Sequence, residues 1–222
     1  MDIGKSFGYM FEDKDWATKL LAGGVLNLTI IGTLATTGYQ VRTLRNVAQG
    51  SERPLPGWDD FGDYFLKGLM VLVASLIYAL PAILIGTMGL IISALSGAGA
   101  ERGAPLLVTL CTTSLWCLAT AYGLLLGLWL PGATVKYALS GDFGAFFRVD
   151  EIWSFISDNL GGYIVALVVA WLAGTAAALA GGIFCLIGAA FTGFWAMLVY
   201  AHLFGQVARE PVEAEPTATA AP

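Results

Sequence analysis

Four stretches of this chain contain no aspartate, glutamate, lysine or arginine, and they dominate what the chain can fold into. They are Leu20–Val41, Gly68–Ala100, Gly103–Val135 and Asn159–Ala208. A helix needs roughly 20 apolar residues to cross the hydrocarbon core of a bilayer. The second and third stretches therefore predict one crossing each, and the fourth predicts two, divided near Gly181. We expect an all-α integral membrane protein, because helices satisfy their backbone hydrogen bonds internally in lipid.

Composition agrees with a membrane protein and argues against nucleic-acid binding. Charged residues make up 12% of the 222 residues and hydrophobic residues 57%, whereas soluble domains carry about 25% charged residues. The formal net charge is −5, so the chain is no polycation and we expect no nucleic-acid partner. Residues 1–210 form one predicted membrane domain. Residues 211–222 form a tail rich in proline, alanine and glutamate that we expect to be disordered.

The first stretch allows two interpretations. It contains four glycines and Asn27 among its apolar residues, so it either crosses the membrane or enters and returns as a re-entrant hairpin bent near Thr29–Gly32. Lysine and arginine are enriched on the cytoplasmic side of membrane proteins. The hairpin places every basic residue except Arg102 on one side, with both termini cytoplasmic, whereas a fifth crossing divides the basic residues between the two sides. We therefore predict four transmembrane helices plus a re-entrant or short fifth membrane segment.

Three amphipathic segments are predicted to lie along the cytoplasmic surface. The first is residues 1–19, in which Ser6 faces away from the apolar side. The second is Tyr39–Gly50, a helix with a basic face that ends at a glycine. The third is residues 142–160, whose predicted apolar stripe consists of Phe146, Val149, Trp153, Ile156 and Leu160.

An acidic, aromatic and glycine-containing phrase occurs twice. "PGWDDFGDYF" occupies Pro56–Phe65 and "SGDFGAFF" occupies Ser140–Phe147. Each follows a basic segment and precedes an apolar stretch, and its aromatic residues are expected at headgroup depth. Asp60 and Asp142 are placed to cap the helices that follow, since a carboxylate accepts hydrogen bonds from the free N–H groups at the positive end of a helix. We interpret the two phrases as the cytoplasmic elbows of a weak tandem repeat.

Five segments together resemble an uncharacterised family of prokaryotic integral membrane proteins, the domain of unknown function numbered four thousand and thirteen. The segments are "GYQVRTLRNVAQG", "PLPGWDDFGDYFLKGL", "YALPAIL", "GDFGAFF" and "AHLFGQVARE", and the resemblance covers roughly residues 1–210. It implies a compact helical protein of the prokaryotic cytoplasmic (inner) membrane with cytoplasmic elbows. The family supplies no reaction, cofactor or catalytic residue.

No arrangement of residues in the sequence matches a catalytic motif. There is no phosphate-binding glycine loop and no His-Glu-x-x-His zinc motif, and the two Asp-Phe-Gly segments lack the other kinase motifs. We therefore expect a non-enzymatic protein with no catalytic residue, no metal site and no cofactor. The three cysteines, Cys111, Cys117 and Cys185, are expected to be buried apolar side chains and neither disulfides nor metal ligands.

His202 is the single histidine and precedes Gln206 by one helical turn. An ionisable residue inside a membrane helix is a default candidate site, so His202 is a candidate ligand. The alternative is a histidine at the interface whose ring hydrogen-bonds a backbone carbonyl. One histidine cannot build a multi-ligand metal site from the residues around it, which favours the alternative.

Small residues recur at helical spacing in the last three predicted crossings. Gly123 and Gly127 form a Gly-x-x-x-Gly motif, and Gly174 and Gly193 belong to further stripes of alanine and glycine. Small residues let helices approach closely in lipid, where no hydrophobic force drives helices together. These glycines are predicted helix-packing positions, with their neighbours either in the same chain or in another subunit.

Arg42, Arg45 and Arg53 precede the acidic residues of the first elbow. They either pair with the nearby aspartates, a weak contribution in solvent, or contact anionic lipid headgroups, which attract each basic residue by about 1 kcal/mol. Both alternatives place the arginines, together with Asp60 and Asp142, at headgroup level.

These observations favour an accessory or structural subunit that packs in a larger membrane complex or homo-oligomer. Its expected partners are membrane lipid and either other membrane subunits or a second copy. No charged residue lies deep in a predicted crossing, which argues against ion-coupled transport. The alternative is a transporter, channel or lipid-handling protein with a substrate near Asn27 and the arginines of the first elbow.

Overall fold

The computed structural model describes residues 1–97, 106–183 and 185–209, and every regular element within them is helical. The predicted loop around Arg102 and the predicted tail of residues 211–222 lie outside the described residues. Short 3-10 turns occupy Tyr9–Glu12 and Phe143–Phe147. In chain order the α-helices are α1 (Ile3–Gly8), α2 (Trp16–Leu26), α3 (Ile30–Ala48), α4 (Phe61–Gly97), α5 (Leu106–Ser140), α6 (Val149–Asp158), α7 (Leu160–Ile183) and α8 (Cys185–Val207).

Four of these helices are long and apolar enough to cross a bilayer, which confirms the predicted fold class. α4 has 37 residues, and at 1.5 Å per residue it is about 55 Å long. That length exceeds a hydrocarbon core of about 30 Å, so α4 extends beyond the core. The qualifying segments of α4, α5, α7 and α8 are Phe61–Leu95, Leu106–Ser140, Leu160–Ile183 and Ile187–Val207.

The first charge-free stretch folds as a hairpin of two helices and not as one crossing helix. Thr29 is the N-cap of α3, and its hydroxyl accepts a hydrogen bond from the Gly32 N–H at 3.0 Å. The bend therefore lies where the sequence predicts it. α3 then continues without a break to Ala48, so Tyr39–Gly50 is not the separate interfacial helix that was predicted. Its apolar residues face the protein core, and this packing keeps the two segments in one helix.

Asn27 connects the turn of the hairpin to α8. Its side-chain nitrogen donates to the Ala190 carbonyl at 3.2 Å, and its side-chain oxygen accepts from the Thr36 hydroxyl at 3.0 Å. Both ends of the amide are thereby hydrogen-bonded within the protein, as a polar group surrounded by lipid requires. Beside this turn, Ile30 and Ile31 are 86% and 64% exposed. A satisfied polar turn next to exposed apolar side chains suits a hairpin whose tip lies in lipid.

Glycines bring the hairpin into close contact with its neighbouring helices. A Cβ atom at Gly38 of α3 would overlap the backbone of Tyr64 on α4, and one at Gly68 of α4 would overlap the backbone of Leu34. α2 packs on α8 in a similar way, with Gly23 against the ring of Phe194. α4 pairs with α5, α7 pairs with α8, and α3 contacts both pairs. Close backbone contact is a usual mode of helix association in lipid, and here α3 joins the two pairs.

α5 runs through Pro131, a residue type that usually ends or kinks a helix. Proline removes one backbone N–H and disturbs the preceding turn. The Tyr163 hydroxyl of α7 enters this turn: it accepts from the Gly132 N–H at 2.8 Å and donates to the Leu128 carbonyl at 2.6 Å. These are the two groups that a regular α-helix would join directly. The inserted hydroxyl satisfies both of them, and the helix continues to Ser140.

The third predicted amphipathic segment is amphipathic, but its buried face differs from the predicted stripe. The structure buries Phe146 and Ile156 and exposes Val149, Trp153 and Leu160. The prediction assumed one continuous helix, whereas a 3-10 turn precedes α6 and shifts the helical phase, because it has 3.0 residues per turn and not 3.6. The residues of α6 that face the core are Ile152, Phe155 and Ile156.

The crossing of α3 and α4 predicts that Gly68→Ala destabilises the protein. The new methyl group meets the Leu34 backbone, which cannot rotate away as a side chain can, so we expect a loss of about 1–3 kcal/mol in the free energy of unfolding. Thermal unfolding of the purified protein in detergent measures the change. Gly86→Ala is the matched control, because no atom lies within 4 Å of that Cβ position on the same helix. Equal melting temperatures for the two variants would contradict the crossing.

The inserted hydroxyl predicts that Tyr163→Phe costs about 1–3 kcal/mol, because a buried N–H and a buried carbonyl lose their shared partner. Tyr122→Phe is the control: its hydroxyl donates to the Tyr78 carbonyl at 2.9 Å, and no backbone N–H depends on it. We expect the melting temperature to fall clearly more for Tyr163→Phe. An equal effect of the two changes would show that the hydroxyl does not support α5.

Candidate functional site

Three segments meet at the charged end of the helix bundle and enclose a polar cavity. They are the N-terminal residues 2–12, the end of α3 with the loop that follows it (residues 47–54), and the end of α8 (residues 202–209). The cavity has a volume of ≈ 290 Å³, which is close to the lower end of the range for ligand pockets, about 300–1,000 Å³.

His202 lies in the wall of this cavity and is fixed by neighbouring side chains. Its Nδ1 atom is 2.9 Å from the Ser6 hydroxyl and 2.8 Å from the side-chain nitrogen of Gln206. The ring stacks on Tyr9 with 4.2 Å between centroids, and the residue is only 6% exposed. Burial raises the pKa of Tyr9 well above its usual value, so the phenol keeps its proton and donates to the Leu198 carbonyl at 3.0 Å.

The orientation of Gln206 determines the tautomer of His202. The Gln206 side-chain oxygen accepts from the Asp2 N–H at 2.6 Å, and its nitrogen donates to the Asp2 carbonyl at 3.0 Å. The atom facing His202 Nδ1 is therefore the amide nitrogen, which is a donor only. An Nδ1 that accepts from this nitrogen fits the geometry, and the neutral ring then carries its proton on Nε2. The predicted hydrogen bond from His202 to a backbone carbonyl is thus wrong, since side chains surround the ring nitrogen.

Ser6 is fully buried against His202 and does not face away from the protein as predicted. A serine beside a histidine is a feature of nucleophilic catalysis. This hydroxyl, however, also lies 3.1 Å from the Asp2 carbonyl and 3.0 Å from the Gln206 amide nitrogen. It is enclosed by its partners and offers no approach to a substrate. The arrangement fastens the N-terminal segment to the end of α8.

Charged groups of both signs line the same cavity: Lys5, Arg209, Asp2, Glu12 and Glu52. None of them takes part in the ion pairs within 4.0 Å that the described residues form. Among the residues of this cavity, His202 was the candidate that the sequence offered. The spacing of four residues that places His202 and Gln206 on one helical face was the available signal. Their partners lie about 200 residues earlier in the chain, beyond the reach of a local pattern.

An aromatic cluster positions the first elbow, Pro56–Phe65, and the loop of residues 49–55 before it. Tyr39 stacks on Trp58 at 4.4 Å and meets the edge of Tyr64 at 5.6 Å. The Tyr39 hydroxyl donates to the Pro56 carbonyl at 2.9 Å, and the Tyr64 hydroxyl donates to the Gly57 carbonyl at 2.8 Å. Trp58 and Tyr64 of the elbow phrase therefore pack against the protein, whereas Phe61 is exposed.

Lys19 of α2 connects the segment before α2 to the loop before the first elbow. Lys19 Nζ lies 2.7 Å from the Asp13 carboxylate and 3.1 Å from the Leu55 carbonyl. Burial alone raises the pKa of Asp13, but hydrogen bonds from Lys19 and from the Asp15 N–H outweigh burial, so the pKa lies below its usual value. The carboxylate is thus charged in the folded protein and stabilises the position of that loop.

The three predicted arginines lie near the first elbow without carboxylate partners. Arg42 and Arg45 are half-buried on α3, and Arg53 is exposed. The ion pairs found in the described residues do not include them, so the predicted pairing with the elbow aspartates is absent. Asp63 instead pairs with Lys67 on the next turn of α4.

The two elbow phrases have different local structures. Asp60 is exposed and immediately precedes α4. Asp142 caps the 3-10 turn that follows it, accepting from the Gly144 N–H at 3.1 Å, and it pairs with Arg148 at 2.6 Å. Because α6 separates this turn from α7, Asp142 does not cap a crossing helix.

Three of the four predicted packing glycines face away from the rest of the chain. A Cβ atom at Gly123, Gly127 or Gly174 would meet nothing within 4 Å, whereas one at Gly193 would lie 3.5 Å from the Asn27 side chain. The first three therefore have no packing role within the described residues.

The exposed side of α5 also contradicts the prediction for the cysteines. Cys111 and Cys117 are exposed on α5, because few protein groups cover this part of the helix. The side chain of Cys185 lies outside the described residues.

The lowered pKa of Asp13 predicts a pH-dependent contribution to stability. The ion pair with Lys19 stabilises the folded protein above the unfolded pKa of about 3.9, and this contribution is lost as pH falls through the lower folded pKa. Asp13→Asn should therefore lower the melting temperature at pH 7, with a cost of about 1.5–3 kcal/mol, and the difference from the unchanged protein should shrink on acidification. Asp63→Asn is the control, since that carboxylate is 46% exposed. A difference that does not vary with pH would contradict the prediction.

Comparison with known proteins identifies a family. The family model described as Protein of unknown function (DUF4013) matches residues 21–186, which include the second half of α2, all of α3, both elbow phrases and α7. No curated protein and no solved structure matches the chain. Since the match covers well over half of the sequence, the chain belongs to the DUF4013 family of proteins of unknown function.

Proposed function

We propose that this protein is a non-enzymatic accessory or structural subunit of the prokaryotic cytoplasmic membrane, which packs against other membrane subunits or a second copy of itself. The observation that carries the proposal is the exposed apolar part of α5. From residue 106 to residue 130 this helix has no buried residue, and Gly123 and Gly127 lie within it without neighbours.

Small and hydroxyl-bearing residues on α5 support a protein partner over lipid alone. Ser114 and Thr120 donate to carbonyls one turn earlier on α5, each at 2.8 Å, which removes the cost of placing their hydroxyls in an apolar setting. A smooth surface with a Gly-x-x-x-Gly motif lets another helix approach closely, and van der Waals packing then drives the association. Lipid chains gain no comparable benefit from glycine.

The positions of the basic residues support a cytoplasmic location for the charged end. The Asp2–Gln206 hydrogen bonds bring the start of the chain to the end of α8, so both lie at one end of the bundle. Cytoplasmic segments carry an excess of lysine and arginine. We accordingly place both termini in the cytoplasm, with Arg42, Arg45 and Arg53 close to anionic lipid headgroups.

A transporter, channel or lipid-handling protein remains the alternative function. Its proposed substrate site near Asn27 receives less support, because that amide already has two partners, Ala190 and Thr36. The unpaired arginines of the first elbow favour a lipid contact within either function.

The proposal predicts a constant set of partner chains. We expect a C-terminally tagged protein, extracted from native membranes in a mild detergent, to retain membrane subunits or a second copy at fixed stoichiometry. Gly123→Ile combined with Gly127→Ile should reduce this recovery about tenfold or more, because the bulkier side chains separate the helices. Gly86→Ile is the control, as that position on α4 is equally open.

Two results would contradict the proposal. One is a monodisperse single chain from native membranes. The other is partner recovery that does not change in the double variant while it falls in the control, which would move the contact to α4. A lone chain would direct the next experiments to solute and lipid flux.

A further inference from the structure

The Nε2 atom of His202 has no hydrogen-bond partner among the described residues. The two polar neighbours of the ring, the Ser6 hydroxyl and the Gln206 amide nitrogen, both lie at Nδ1. Among the described residues, every side-chain nitrogen or oxygen that is fully enclosed has a hydrogen-bond partner. Nε2 must therefore reach accessible space, and His202 lines the polar cavity at the charged end. The residue as a whole is 6% exposed, and the cavity is the space that we assign to this N–H.

The charges around this N–H fit a ligand with two opposite charges better than a simple anion. Lys5 of the N-terminal segment and Arg209, two residues beyond α8, supply positive groups to the cavity. Glu12 and Glu52 supply negative groups to the same cavity, while the third carboxylate, Asp2, accepts from the Lys5 N–H as the cap of α1. An anion alone would gain from the first pair and be repelled by the second. A ligand that carries an anionic group and an ammonium group can satisfy both.

A metal ion is a poorer match for the acidic residues. The described residues contain no group of three histidine, cysteine, aspartate or glutamate side chains arranged to hold one. A single pair of carboxylates suits an ammonium group, which forms hydrogen bonds to separate acceptors and needs no complete coordination shell.

We propose that the cavity binds a small zwitterion, with its anionic oxygens at Lys5, Arg209 and the His202 Nε2–H and its ammonium group at Glu12 and Glu52. The volume of ≈ 290 Å³ accommodates a molecule of the size of phosphoethanolamine. This chemistry has two sources at a membrane surface, a free metabolite or the headgroup of phosphatidylethanolamine. The binding site is separate from the α5 surface and does not depend on the proposed subunit role.

The single histidine makes the test direct. In the full-length protein with isotope-labelled histidine, all imidazole NMR signals belong to His202. We expect phosphoethanolamine, added to lipid-free protein in detergent, to shift the Nε2 signal in a saturable way. Inorganic phosphate and ethanolamine each match half of the site and should bind about tenfold more weakly or worse, because each loses one set of charge-assisted hydrogen bonds.

Two variants separate the two ends of the ligand. Arg209→Gln should weaken phosphoethanolamine binding about tenfold and leave ethanolamine binding unchanged, while Glu52→Gln should weaken phosphoethanolamine and leave phosphate unchanged. Arg148→Gln is the control, because Arg148 pairs with Asp142 and Glu151 away from the cavity. The melting temperature and the ligand-free histidine spectrum of each variant report whether the site is still folded.

Several outcomes would overturn the proposal. They are an unmoved Nε2 signal at millimolar phosphoethanolamine, phosphate binding as tight as phosphoethanolamine, or equal effects of Arg209→Gln and Arg148→Gln. The source of the ligand follows from a second arm. A shifted Nε2 signal in nanodiscs that contain phosphatidylethanolamine, but not in those with phosphatidylcholine and phosphatidylglycerol, identifies the lipid headgroup. A shift with the soluble molecule alone identifies a free metabolite.

Discussion

The contact between the backbones of α3 and α4 is the constraint on which the rest of the structure depends. Gly38 and Gly68 allow the two helices to touch without intervening side chains. At this distance Tyr39 reaches Trp58 and Tyr64, so the first elbow folds back onto α3. The end of α3 is then placed beside α8, where Gly205 lies against Val47. The polar cavity exists because these contacts bring the end of α3 to the end of α8.

The two ends of the helix bundle are packed unequally. The charged end contains most of the large enclosed side chains, including Tyr39, Tyr163, Phe146 and Phe204. Toward the other end, many leucines and isoleucines of α4 and α5 face outward. Buried contacts resist local opening, so we infer a rigid charged end and a less constrained apolar end. The proposed ligand site lies in the first region and the proposed subunit contact in the second.

Local patterns were enough to predict the four crossings, the bend of the hairpin and the expected family, because each depends on residues close together in sequence. The continuity of α5 was not predictable in this way. A proline such as Pro131 usually ends a helix, and the hydroxyl that satisfies the disturbed turn belongs to Tyr163 on another helix. The cavity was missed for the same reason, since Ser6 and His202 are 196 positions apart. The apolar stripe predicted for residues 142–160 was wrong because a short 3-10 turn before α6 changes the helical phase.

The hydrogen bonds of Asn27 have a consequence for how the protein is made. The ribosome delivers the α2–α3 hairpin first, yet the acceptor for the Asn27 amide is the Ala190 carbonyl, 163 residues later. During synthesis the Asn27 side-chain nitrogen therefore lacks this acceptor until the last helix has entered the membrane. The final position of the hairpin therefore depends on the last helix, since α8 supplies the acceptor for the Asn27 amide.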